Sequence, residues 1–132
     1  MMKTYLALIH KDGTSAYGAT FPDLPGCFSA ADDFADLLPN CSEALDLWFE
    51  DQPDMPPRNI EDIRMEVAGD LAAGAFLIAV PYIRRSTKQQ RVNISLDAGT
   101  LDAIDNASKA MKLTRSAFIA LAATNEIRGI HR

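Results

Sequence analysis

The sequence predicts an α+β fold built from two modules, an N-terminal one with a small sheet and a helix, and a C-terminal one with a strand and two helices. Three observations indicate this: the order of apolar patterns, a change in the sign of the charge near residue 84, and a polar segment at that change. We therefore place an N-terminal domain at residues 1–83, a linker at 84–90 and a dimerisation domain at 91–132.

The composition is that of a globular protein, with 48% hydrophobic and 23% charged residues among 132. It excludes wholesale disorder and a disulfide scaffold. No apolar stretch reaches the roughly 20 residues that span a bilayer, and the opening residues do not resemble a secretory signal, so we expect a cytoplasmic protein that does not bind membranes. The cysteines, Cys27 and Cys41, and the histidines, His10 and His131, lack metal-ligand spacing, so we expect no metal and no cofactor.

The charge is divided unequally along the chain. Residues 1–83 contain 14 acidic and 4 basic side chains, a net charge of −10, whereas residues 84–132 contain 4 acidic and 9 basic ones, a net charge of +5. Such asymmetry is typical of two modules with different partners. The acidity of the first module either complements a basic partner or serves solubility alone. Residues 84–90 (RRSTKQQ) have no hydrophobic side chain to anchor them, which is typical of a linker.

The first module begins with a predicted β-hairpin. Residues 4–9 and 15–21 are β-prone, and the Asp-Gly pair between them favours a turn with positive φ at both central positions. The loop that follows, FPDLPGC at 21–27, contains two prolines and a glycine, so we expect a rigid turn. A third strand is predicted at 27–30.

A helix is predicted next, with Asp32 or Asp33 as its N-cap and apolar residues three and four positions apart. Pro39 lacks an amide donor, so the helix either kinks there or begins near it. One or two short helices are expected at 60–71, and a buried strand is expected at 74–81, stopped by its final proline.

The FPDLPGC loop after a hairpin, followed by acidic residues and a helix containing Glu43-Ala44-Leu45, resembles the HicB antitoxins of HicA–HicB toxin–antitoxin pairs. The resemblance implies a partial RNase H-like domain that docks on the small mRNA-cleaving toxin HicA and covers its active site. The sequence departs from the family where Ala-Asp-Asp at 31–33 replaces the common Gly-Asp-Thr, and at Pro39. Toxin contacts vary within the family, so no toxin-binding residue is assigned.

The carboxylates of the first module do not form a predicted catalytic site. A nuclease of the RNase H type needs three or four carboxylates converging on two metal ions. Asp12 lies in a predicted turn, Asp23 lies between prolines, and Asp32 and Asp33 stand at a helix start. No Ser/His/Asp or Cys/His set exists either. We expect no catalytic residue and no enzyme activity, and a nuclease remains an alternative that metal-dependent RNA cleavage would reveal.

The second module opens with an alternating strand at 90–96. Its apolar side chains, Val92, Ile94 and Leu96, share one face, and its polar ones, Arg91, Asn93 and Ser95, share the other. Two helical patterns follow, the first with Asp97 in its first turn and the second opening at Thr114. About 40 residues with a single strand cannot bury these apolar faces alone, so we expect a homodimer, or a higher oligomer, formed through residues 91–132.

The strand RVNISL and the helix start LTRSAFI are similar to the ribbon-helix-helix DNA-binding fold of small bacterial repressors. The resemblance implies contacts to the bases of double-stranded operator DNA from Arg91, Asn93 and Ser95. It also implies phosphate binding at the amides of Thr114, Arg115 and Ser116. The sequence thus indicates an antitoxin that also represses its own operon. The alternative is a free-standing transcriptional regulator with a ligand-sensing N-terminal domain.

Overall fold

A computed structural model describes residues 2–86 and 88–130. Thr87 in the predicted linker and residues 131–132, which include His131, lie outside the described residues. The chain divides into two compact units, Met1–Arg84 and Arg85–Arg132, at the start of the predicted linker. None of the helices described is long and apolar enough to cross a bilayer.

The predicted mixture of helices with a small sheet is confirmed. The elements in chain order are β1 (Met2–His10), β2 (Tyr17–Thr20), β3 (Phe28–Ala31), α1 (Phe34–Glu50), α2 (Ile60–Glu66), α3 (Ala68–Ala72), β4 (Phe76–Ile83), α4 (Ala98–Ala110) and α5 (Arg115–Arg128). The N-terminal unit holds one four-stranded sheet of order β3-β2-β1-β4, in which every neighbouring pair is antiparallel.

The β1–β2 hairpin forms, but its turn differs from the prediction. The strands pair from Leu8 opposite Thr20 to His10 opposite Gly18. The loop that joins them, residues 11–16, is longer than a two-residue hairpin turn. The Ser15 amide donates to the Asp12 carbonyl oxygen at 2.9 Å, which makes a turn with Gly13 in its second position. Gly13 has a φ of 56°, whereas the residue before it is not in the left-handed region. The expected pair of positive φ angles is therefore wrong.

The proline of β4 does not stop the strand, contrary to the prediction. β4 continues to Ile83, and Pro81 lies opposite Thr4 of β1. An edge strand tolerates proline because half of its backbone groups face away from the sheet, and β4 is an edge strand. Its only buried residues are Val80 and Tyr82, so the strand is less buried than predicted.

Helix α1 begins at Phe34, five residues before Pro39, so a start near the proline is wrong. Asp33 occupies the N-cap position as expected, but its side chain makes no capping hydrogen bond. The apolar spacing predicted for this helix is confirmed by its buried face, which comprises Leu37, Cys41, Leu45 and Phe49. Pro39 sits early in the helix, where it removes a single intrahelical donor.

The sheet has apolar side chains on both faces. On one face α1 packs over a core that includes Tyr5, Ile9 and Val80, all of them fully buried. On the other, Leu8 packs with Ile63 and Val67 at the short helices α2 and α3. The N-terminal unit therefore completes a core within one chain.

The C-terminal unit has two well-capped helices and almost no core. The Asp97 carboxylate accepts a hydrogen bond from the Thr100 amide at 2.9 Å, and Thr114 caps α5 in the same way. Residues 88–97 form no regular secondary structure within the single chain. Among the residues described in this unit, only Ser108 is buried. Packing inside one copy therefore leaves the large apolar side chains described in this unit either half-buried or exposed.

Candidate functional site

The loop at 21–27 forms the expected rigid turn. The Leu24 amide donates to the Phe21 carbonyl and the Cys27 amide donates to the Leu24 carbonyl, both at 3.0 Å. The Phe21 amide closes the loop on the Cys27 carbonyl at 3.3 Å. Leu24 is fully buried, and Gly26 has a φ of 84°, which favours glycine. Trp48 of α1 holds the loop from outside, because its indole donates to the Pro25 carbonyl at 3.0 Å.

An ion-pair cluster fixes the same loop to α2. The Asp23 side chain is only 6% exposed and accepts hydrogen bonds from the Arg58 amide, at 3.0 Å, and from the Arg58 guanidinium. Arg58 also donates to both carboxylate oxygens of Glu66, at 3.0 and 3.2 Å. These bonds raise the pKa of Arg58, Glu66 contributing more than Asp23, and Arg58 lowers the pKa of Glu66. Sequence reasoning missed the cluster because Asp23 and Arg58 are 35 residues apart.

The structure gives the positions of the candidate carboxylates of the N-terminal unit. Asp23 pairs with Arg58, and Asp32 and Asp33 lie between the end of β3 and the start of α1. No group of three or more His, Cys, Asp and Glu side chains that could hold a metal ion occurs in residues 2–86 or 88–130. Burial raises the pKa of the Cys27 and Cys41 thiols to about 11, so both stay protonated and unreactive at neutral pH.

The predicted base-contacting residues Arg91, Asn93 and Ser95 are exposed in a segment that forms no strand within the chain. The apolar residues that alternate with them are exposed too. The exposed fraction is 75% for Val92, 58% for Ile94 and 41% for Leu96. The structure therefore places the six side chains on one accessible segment, and it does not bring the three polar ones onto a folded surface.

The predicted phosphate-binding residues lie together at the start of α5. The Thr114 hydroxyl accepts from the Ala117 amide at 3.1 Å, and Arg115 and Ser116 are the first helical residues, whose amides have no acceptor within a helix. The Arg115 side chain instead joins α5 to α4. Its guanidinium donates to both carboxylate oxygens of Asp105 at 2.8 and 2.9 Å, which lowers the pKa of Asp105. An anion at this helix start would therefore meet the Arg115 amide, while the guanidinium is already engaged.

Comparison with known proteins identifies the family. A family model described as a HicB-like antitoxin of a bacterial toxin–antitoxin system matches residues 5–123. The chain belongs to the HicB-like antitoxin family. This match confirms the family that the loop at 21–27 indicates. The ribbon-helix-helix and RNase H-like assignments stay predictions.

Two relatives show how far the similarity extends along the chain. The crystal structure of the Burkholderia pseudomallei antitoxin HicB aligns with a TM-score of 0.51 at 28% identity, covering 96% of this chain and 97% of that one. An uncharacterised 14.9 kDa protein from the rep-hol intergenic region of Haemophilus phage HP1 (strain HP1c1) is 30% identical over 119 residues, 84% of this chain and 88% of the relative. The similarity to the HicB structure thus includes both units.

A solved HicA3 and HicB3 toxin-antitoxin complex also aligns, at 25% identity over 58% of this chain and 94% of the matched one. The TM-score of this alignment is 0.49.

Replacing Arg58 by alanine is expected to lower the urea midpoint of the N-terminal unit at pH 7, because Asp23 stays buried with fewer donors and Glu66 loses its partner. The folded-state pKa of Glu66 lies below its ordinary value of 4.5. Its pairing therefore stabilises the fold above about pH 4.5 and stops doing so as the pH falls through the folded-state pKa.

The measurement is urea unfolding at pH 7 and near pH 3, followed by the fluorescence of Trp48, the only tryptophan. The midpoint difference between wild type and Arg58→Ala should shrink at the acid pH. Arg64→Ala, which removes an exposed arginine from the same helix region, is the control and should change little. Equal midpoints for wild type and Arg58→Ala at pH 7 would contradict the role of the cluster.

Proposed function

We propose that this chain neutralises a HicA-type mRNA-cleaving toxin by binding it, and that a dimer of the chain represses its own operon at operator DNA. The observation that carries the proposal is the family match over residues 5–123, described as an antitoxin of a bacterial toxin–antitoxin system. A protein that binds RNA needs basic surface to meet the phosphates. The net charge of −10 in residues 1–83 would attract such a partner and speed its encounter.

The proposed inhibition is steric and needs no catalytic step by this chain. The pairing of Asp23 with Arg58 and the protonated thiols of the N-terminal unit support a binding role over a nuclease role. The partial RNase H-like fold implied by the HicB resemblance belongs to the same proposal. It would present the N-terminal unit as a rigid cover over the toxin's active site.

The operator-binding half of the proposal depends on pairing between two copies. Residues 91–96 alternate polar and apolar side chains, and the apolar ones are exposed in a single chain. Two such segments, paired antiparallel, would place Val92, Ile94 and Leu96 against the helices of both copies. The ribbon-helix-helix fold that results would lay its other face in the major groove, where Arg91 and Asn93 can make bidentate contacts to guanine and adenine.

Co-expression with the adjacent reading frame tests the antitoxin function directly. We expect a small basic protein to co-purify with this chain and to lose its mRNA-cleaving activity in the complex. Separate elution of the two proteins, or cleavage that persists in the presence of excess antitoxin, would contradict the proposal.

A charge placed on the apolar face of residues 91–96 should prevent dimerisation. Ile94→Asp buries a carboxylate in the proposed ribbon, so sedimentation at micromolar concentration should show a monomer where the wild type shows at least a dimer. Asn93→Asp adds the same charge one residue away, on the opposite face, and should preserve the oligomer. A monomeric wild type, or an oligomeric Ile94→Asp variant, would contradict the ribbon.

Truncating Arg91 should weaken specific operator binding by about 1–3 kcal/mol, because a bidentate contact to guanine is lost. Toxin binding should be unchanged, since Arg91 lies outside the N-terminal unit. Arg64→Ala removes an exposed arginine from that unit and serves as the charge-matched control. The measurement is operator affinity across a range of salt, and wild-type affinity should fall steeply as salt rises because phosphate contacts release counterions. A flat salt response would argue against DNA binding.

A further inference from the structure

Three aromatic rings, two of them exposed and one half-buried, form a row at one end of the N-terminal unit. The rings belong to Tyr17 at the start of β2, Phe34 at the start of α1 and Phe76 at the start of β4. The ring centroids of Tyr17 and Phe34 are 5.8 Å apart, and those of Phe34 and Phe76 are 6.3 Å apart. Phe34 is 53% exposed although it makes both contacts. Neighbouring aromatic side chains left in solvent are typical of protein interfaces.

An acidic hollow lies beside this row. Its volume is about 450 Å³, and small side chains and carboxylates line it: Ala16, Ala30, Ala31, Asp32, Asp33, Asp36 and Asn40. The Asn40 amide donates to the Ala30 carbonyl at 2.8 Å, so an outward carbonyl of the edge strand β3 is already bonded. The alanines leave room, and three carboxylates favour a cation. The hollow therefore suits a lysine or arginine side chain better than an added β-strand.

The row and the hollow are built from neighbouring residues, because Ala16 precedes Tyr17 in the chain and Asp33 precedes Phe34. The Lys11 ammonium lies 4.6 Å from the centroid of the Tyr17 ring and gives this end of the row one positive charge. The hollow contributes three aspartates, so the net charge of the two features together is negative. We call the two features together the aromatic–acidic surface.

We infer that the aromatic–acidic surface is where the toxin docks. This inference rests on the proposed antitoxin function and adds to it the residues that make the contact. An RNA-cleaving protein presents basic side chains around its RNA-binding site. One of them would enter the hollow between Asp32 and Asp36, while an apolar side chain of the toxin packs on Phe34. Aromatic anchors beside complementary charge are the usual source of affinity in protein interfaces.

The experiment measures the affinity of the full chain for the small protein encoded by the adjacent reading frame. Phe34→Ala should raise the dissociation constant about tenfold or more. Its control is Phe28→Ala, which truncates a phenylalanine that is 66% exposed on β3, outside the row. Asp32→Asn with Asp36→Asn should weaken binding and flatten its salt dependence. Glu50→Gln with Glu61→Gln removes two exposed carboxylates elsewhere and is the control for the charge change.

The outcomes separate the inference from the proposed function. A wild-type chain that does not bind this protein would overturn both. Tight binding by the wild type and by both surface variants would overturn the inference and leave the antitoxin function intact. Circular dichroism and Trp48 fluorescence check the fold, and the paired aspartate variant removes charge without removing apolar packing. A change in the sedimentation of Phe34→Ala alone would assign this surface to a second copy and also overturn the inference.

Discussion

The apolar side chains of Val92, Ile94 and Leu96 are exposed in a single copy of the chain, and this exposure is the main constraint on the C-terminal unit. Helices α4 and α5 have 13 and 14 residues, and their caps at Asp97 and Thr114, with the Arg115–Asp105 ion pair, fix their local geometry. Isolated helices of that length are marginal in water unless an apolar face is packed. Under the proposed function, a second copy would supply the missing surface, and folding of this unit would be coupled to its dimerisation.

The N-terminal unit, in contrast, buries its apolar side chains within one copy of the chain. Its sheet packs apolar side chains on both faces, and the loop at 21–27 is closed by its own hydrogen bonds and by the ion-pair cluster at Arg58. No second copy is needed to complete this core. The exposed Phe34 and the aspartates beside it are therefore available to a different protein. One chain thus combines a unit that completes its own core with a unit that, under the proposed function, would complete its core against a second copy.

Local patterns predicted most of the elements, and distant contacts explain the errors. Helix α1 and the loop at 21–27 were predictable because their signals, the spacing of apolar residues and the turn residues, involve only residues close together in the chain. Whether Pro81 interrupts β4 depends on which strand lies at the edge of the sheet, and the sequence does not state that order. The pairing of Asp23 with Arg58 joins residues far apart in the chain, and the row at Phe34 joins three elements. The residues proposed to contact the toxin could not be predicted for the same reason.

The alternation of residues 91–96 is readable from the sequence, yet the strand it predicts is not formed in a single chain. In the proposed two-stranded ribbon, the hydrogen bonds of that strand would join two molecules. Under the proposed function, operator binding then depends on the concentration of the chain through dimerisation. Toxin binding by the N-terminal unit does not, since that unit has its own core. As the protein becomes scarce, repression should therefore fail before neutralisation does, and renewed expression would follow while the remaining copies still hold toxin.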